Sequence, residues 1–238
     1  MNLLPHVKSF IQAIGSYTSS NSLNVYNPWR NFDGVYDIGK EAPQIRCEQL
    51  ENYLRLRVPH AKYIFVAEAL GFQGGHFSGI AMTSERILLG NHKNKIIQPS
   101  LVIGCKAQRT SNPKHIGIKK TQSKLGYNEP TATIVWESII DNKRDPNDAI
   151  LWNIFPFHPY KTDLLTNRTP SDAELEEGIR YLNMLRDIVQ NAAIITIGLK
   201  SHNTLSDFGI NHSSVPHPAN GGANDYRQQI SELLQKKQ

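Results

Sequence analysis

Three stretches of the chain are apolar without alternation: KYIFVAEA (62–69), LWNIFPF (151–157) and AAIITIGLK (192–200). Short apolar runs rich in β-branched and aromatic residues, ending in small or turn-forming ones, predict strands buried on both faces. A fourth extended piece, SSVPHPA, begins at Ser213. Helical spacing fills the intervals. The pattern predicts a helix at the start of the chain, one from Pro43 to Leu56, and one across TSERILLG (83–90) capped by Thr83 or Ser84. NEPTATIVWESIID (128–141) carries Pro130 in its first turn, and SDAELEEGIRYLNMLRDIVQ (171–190) opens on a Ser171/Glu174 capping box. A short helix over 201–209 and an amphipathic one over 223–235 complete the series. SYTSSNSLNVYNPWRNFD (16–33) reads as a polar loop, and 91–128 as mostly loop. Buried strands alternating with helices predict a three-layer α/β/α sandwich around a central, mainly parallel four-stranded sheet. The whole chain, 1–238, reads as one domain, with a helical part over 1–60 and the α/β core over 62–235.

In such sheets ligands bind beyond the carboxyl ends of the strands. Here those ends carry Glu68, followed by the glycine-rich GFQGGHFSG (71–79); Asn153, followed by Phe-Pro-Phe-His-Pro; Gly198; and His217. Pro216 and Pro218 hold His217 extended, and Asn220-Gly221-Gly222 beside it supplies positive φ at little cost. Polar groups from separate strands thus converge on one edge.

Charge narrows the choice of partner. Net charge is +5, but from Ile87 to Asn128 there is no Asp or Glu. The same stretch holds Lys93, Lys95, Lys106, Arg109, Lys114, Lys119, Lys120 and Lys124, with His92 and His115. A one-signed surface of this kind suits a polyanion such as nucleic acid; the alternative is a solvated basic loop. Two cysteines, Cys47 and Cys105, build neither a disulfide framework nor a four-cysteine metal site, and fit a reducing compartment. No His-x-His or His-Glu-x-x-His spacing occurs, so no metal and no cofactor is expected. Pro5, His6 and Lys8 break up the start of the chain, unlike a signal peptide, and no run is long enough to span a membrane. A cytoplasmic, nucleoid-associated monomer is expected.

Three segments together resemble the uracil-DNA glycosylase superfamily. VAEALGFQGGHFSGIAMTSER (66–86) is similar to the bacterial motif built on Gly-Glu-Ala-Pro-Gly and continued by Gly-Ile-Pro-Phe-Thr-Ser-Glu. LWNIFPFHPY (151–160) is similar to the segment carrying a base-reading asparagine, and SVPHPANGGANDYR (214–227) to the His-Pro motif and DNA-penetrating loop. Ala67 stands in place of Gly, Leu70 of Pro, and Ala81-Met82 of Pro-Phe. The iron–sulfur cysteines of some branches are absent, so the resemblance is to branches without a cluster.

The resemblance implies an N-glycosyl hydrolase acting on uracil in DNA during base-excision repair. It implies His217 as stabiliser of the leaving anion and Glu68 as holder of the attacking water or the sugar charge. The other reading of Glu68 is a carboxylate bound to amides of the glycine loop. Asn153 is implied to read uracil, or it ties two loops together. Ala69, Phe72 and Met82 would surround the base, with Met82 at the stacking position and Phe72 a wall, a ring stacked on the base, or plain core. Lys119, Lys120, His158, Asn220, Gly221, Gly222 and Arg227 are the DNA-facing candidates. His158 reads as phosphate-facing or structural, and His76 as exposed loop. Two other readings remain: a binding protein of the same fold that has lost catalysis, and an unrelated α/β phosphate- or nucleotide-binding enzyme. The second ranks last, because the glycine loop lacks P-loop and dinucleotide spacing.

Overall fold

The computed structural model describes residues 4–19, 24–93, 96–142 and 144–236. Its elements run α1 (Leu4–Ser16), β1 (Val25–Tyr26), α2 (Ala42–Arg57), β2 (Tyr63–Ala69), α3 (Gly75–Ser78), α4 (Glu85–Leu88), α5 (Pro99–Ile103) and α6 (Lys120–Leu125). They continue with α7 (Pro130–Asp141), β3 (Ala149–Phe155), β4 (His158–Pro159), α8 (Asp172–Val189), β5 (Ala193–Ile197), α9 (Leu199–Asp207), β6 (Ser213–Val215) and α10 (Ala223–Lys236). Four strands form one all-parallel sheet in the order β3-β2-β5-β6, and β1 pairs with β4 in a small antiparallel ribbon. Helices cover the sheet in the expected three-layer sandwich. Every residue of β3 is buried, as a strand between two helical layers requires.

Local chemistry places the main helix. The Ser171 hydroxyl accepts from the Glu174 amide at 3.3 Å and the Glu174 carboxylate accepts from the Ser171 amide at 2.8 Å, so α8 starts where its capping box stands. Its Gly178 lets the helix backbone lie directly on β3: a methyl group there would sit 2.1 Å from the Ile154 carbonyl oxygen.

Two expectations change. The segment 16–33 is not simply a polar loop; its residues 20–23 lie outside the described ones, but Tyr26, Asn27 and Trp29 are buried. The fully buried Arg46 donates to the Asp37 carboxylate at 2.7 Å and to the Tyr26 hydroxyl at 2.9 Å, while the Asn27 amide reaches the Ile14 carbonyl at 2.8 Å. Polar side chains satisfied by buried partners go inside whatever their composition suggests.

The acid-free stretch is likewise partly interior. Lys95 lies outside the described residues. Arg109 donates to the carbonyls of Ser111 and Gln122 at 3.0 and 2.8 Å, and His115, 6% exposed, bonds the Tyr127 hydroxyl at 2.8 Å. The stretch wraps around Glu85, a buried carboxylate from the preceding motif. Glu85 accepts from the Thr110 and Ser111 amides, both at 2.9 Å, and from the Ser111 hydroxyl at 2.5 Å. The region is therefore not one uniform basic surface. Lys119 and Lys120, at the start of α6, remain exposed.

Candidate active site

Parallel register brings the site together. Ala67 of β2 pairs with Asn153 of β3, so Glu68, the next residue of β2, stands one step beyond Asn153 towards the carboxyl edge of the sheet. Ile197 pairs with Val215, so His217, just past the end of β6, arrives at the same edge. Glu68, Asn153 and His217 all line a cavity of about 390 Å³.

Asn153 is 2% exposed, and its Oδ1 has no hydrogen-bond partner among the described residues. A buried carboxamide oxygen left unpaired costs about 1–3 kcal/mol, which a ligand N–H in the cavity would recover. Glu68 is half-buried; burial raises its carboxyl pKa above the ordinary value and the Lys200 ammonium offsets part of the rise. His217 lines the cavity and is exposed at its opening, and the protein packed around it lowers its imidazole pKa by desolvation. The Ala219 amide donates to His217 Nδ1 at 3.1 Å, so the neutral ring carries its proton on Nε2. The turn beyond makes this possible: Asn220 and Gly221 take φ of 54° and 89°, and Gly222 passes so close that a methyl group on it would lie 2.4 Å from the His217 carbonyl oxygen.

Ala69 and Met82 line the cavity too, as does Leu70. Met82 is 6% exposed and sits at φ 46°, a conformation that is uncommon for any residue with a Cβ. Phe72 does not line it. Its ring lies edge-on to Tyr127, 6.4 Å between centroids, and its amide donates to Asn167 Oδ1 at 3.0 Å. His158 faces no phosphate: it is fully buried, with Nε2 2.8 Å from the Thr166 carbonyl and Nδ1 2.8 Å from His76 Nδ1. His76, expected on an exposed loop, is also fully buried and stacks on Tyr26 at 4.3 Å. Both imidazoles follow β2 and β3 into the core, where each finds the other. Lys119 and Lys120 stand outside the cavity lining, and Arg227 lies on α10 with its guanidinium 3.8 Å from the Glu137 carboxylate.

Two groups of lining residues had no sequence signal as site residues. Glu129 and Thr131 start α7, and the Thr131 hydroxyl donates to Glu129 at 2.8 Å; burial raises the Glu129 carboxyl pKa. Lys161, Asn167, Arg168 and Thr169 come from the loop after β4. Arg168 is held by Glu174 through two bonds of 2.7 Å. Among the described residues no cluster of three potential metal ligands occurs, and no helix is long and apolar enough to cross a membrane.

The fold and cavity define a doubly covered parallel α/β protein with a cavity lined by polar groups at the carboxyl ends of its strands, where such sheets bind ligands. The chain is similar in structure to wild-type Pedobacter heparinus SMUG2, whose crystal structure it matches over 97% of both chains with a TM-score of 0.62 and 13% sequence identity. That likeness shows a shared fold. No protein-family model matches the sequence, and no curated protein matches it either.

Proposed function

We propose that the protein is a DNA glycosylase that removes uracil by hydrolysing its N-glycosidic bond. The observation that carries this reading is the buried, unpartnered Oδ1 of Asn153 in a cavity that Glu68 and His217 also line. Uracil presents a donor, N3–H, beside an acceptor, O4, and a carboxamide offers the matching acceptor and donor. Cytosine presents an amino group and a bare ring nitrogen at the same positions, which face the amide the wrong way round. The base must leave the duplex stack to reach such a cavity. As the bond between C1′ and N1 breaks, its electron pair leaves with the base and charge collects on O2. His217, neutral and with its proton on Nε2, donates to that oxygen. Water attacks C1′, and the Glu68 carboxylate opposes the positive charge on the sugar and takes the proton of the water. Resemblance of three segments to the uracil-DNA glycosylase superfamily, and the fold shared with SMUG2, support the same reading.

The test is incubation with a uracil-containing oligonucleotide, followed by alkali. Strand scission at the uracil position is expected. Retardation in a gel without scission would instead make the protein a binding module of this fold.

A further inference from the structure

The loop after β4 is built tightly for a segment of so many polar residues. The Tyr160 amide donates to the Asn24 carbonyl at 3.0 Å and the Arg168 amide to the Pro159 carbonyl at 3.1 Å, closing the loop at both ends. Inside it the Lys161 amide donates to the Thr166 hydroxyl at 3.1 Å and the Leu165 amide to Asp163 at 2.7 Å. The Arg168 guanidinium is engaged by the Glu174 carboxylate. Lys161 and Asn167 are exposed, yet both line the cavity, which places them at its mouth.

The amide of Asn167 has only one possible orientation. Its Oδ1 receives the Phe72 backbone N–H at 3.0 Å, and a backbone N–H can only donate, so that atom is the oxygen. His158 reinforces the choice. Its Nε2 faces two acceptors, the Thr166 carbonyl at 2.8 Å and Asn167 Oδ1 at 3.2 Å, and so carries the ring proton. His158 Nδ1 is then an acceptor for His76 Nδ1–H, 2.8 Å away. Burial pushes the His158 pKa down to about 4, which keeps the ring neutral and this arrangement intact. The NH₂ group of Asn167 has no hydrogen-bond partner among the described residues and lies over Gly71, where a methyl group would meet Nδ2 at 3.3 Å. Lys161 has no ion-pair partner among the described residues. Two donors, one of them cationic, thus stand free on a braced loop at the opening of the cavity.

We propose that Lys161 and the Asn167 NH₂ form a subsite for a phosphodiester flanking the nucleotide held in the cavity, with His158 and the Phe72 amide as the groups that fix Asn167 as a donor. This rests on the glycosylase reading for the identity of the nucleotide. The chemistry of the subsite is its own: donors only, no carboxylate beside them in the loop's cavity-facing set, and one fixed amide that a carboxylate ligand or a phosphate oxygen satisfies equally in geometry. The polyanionic substrate decides for the phosphate.

The experiment measures binding and excision on two uracil-containing duplexes, one native and one with neutral methylphosphonates at the two phosphates flanking the uracil. The proteins are wild type, Lys161→Ala and Asn167→Asp, each checked for folding by thermal unfolding. Asn167→Asp keeps an acceptor for Phe72 and His158 and turns the unpartnered donor into an acceptor. On native DNA each variant should bind about tenfold more weakly, the size of a charge-assisted hydrogen bond. Neutralising the phosphates should weaken wild type by a similar factor and leave the variants almost unchanged. Equal losses for wild type and variants on the neutralised duplex would overturn the subsite. Coupling without excision would end the glycosylase reading and keep the subsite; excision without coupling would do the reverse.

Discussion

At the scale of the residue, the proposed function rests on hydrogen-bond donors and acceptors in fixed directions. Asn153 offers an unpaired oxygen to the cavity, and reversing its chemistry should reverse its preference. Asn153→Asp is expected to cut uracil excision by about 10²-fold or more, the range for loss of a preorganised group, and to admit weak cytosine excision. Uracil and cytosine oligonucleotides run side by side would read this; a wild-type rate on uracil would remove Asn153 from base reading. The pH dependence follows from two opposite shifts. In the proposed reaction Glu68 acts ionised, and its pKa lies above the ordinary 4.5, so the rate should fall on acidification earlier than for an ordinary carboxylate. In the proposed reaction His217 acts neutral, and its pKa lies below the ordinary 6.5, so it adds no loss above that pH. Single-turnover rates across the acid range should therefore rise with pH in wild type, and a flat profile would contradict the assignment. That Asn153, Glu68 and His217 come together at one edge of the sheet was legible in the sequence, because buried strands and their carboxyl ends are. Glu129, Lys161 and Asn167 were not, because nothing in a helix start or a polar loop says which way it folds back over a sheet edge.

At the scale of the element, the helices and strands follow their local signals closely, and the exceptions are segments organised by a distant partner. Strand β2, expected over 62–69, runs Tyr63–Ala69; α8, expected over 171–190, runs Asp172–Val189. The acid-free stretch and the segment 16–33 fold inward because Glu85 and Arg46, which lie outside them in sequence, supply buried partners. Glu85→Ala should accordingly cost about 3–5 kcal/mol, since it strands several buried donors at once. Urea unfolding would check it, and a loss below about 1 kcal/mol, near the range of ordinary surface substitutions, would show the carboxylate to be dispensable. Gly178→Ala tests the packing of α8 on β3. With a backbone oxygen in the way, about 2–3 kcal/mol of destabilisation is expected. For a chain of this size that lowers Tm by roughly 4–12 °C.

At the scale of the whole molecule, the fold gathers a carboxylate, a carboxamide and an imidazole from three strand ends and leaves exposed lysines elsewhere on the same chain. If Lys119 and Lys120 face DNA, replacing both with Ala should flatten the salt dependence of binding by about 0.9 in log–log slope for each duplex phosphate the variant no longer neutralises. An unchanged slope would remove α6 from the interface. The central claim, however, is chemical: a neutral, preorganised His217 stabilises a departing base in this cavity. Single-turnover excision from uracil-containing DNA, measured for wild type and His217→Ala together with DNA binding, tests it most directly. The expected result is release of uracil by wild type and a rate about 10²–10³-fold lower in the variant at unchanged DNA affinity. Equal rates in the two proteins would contradict it.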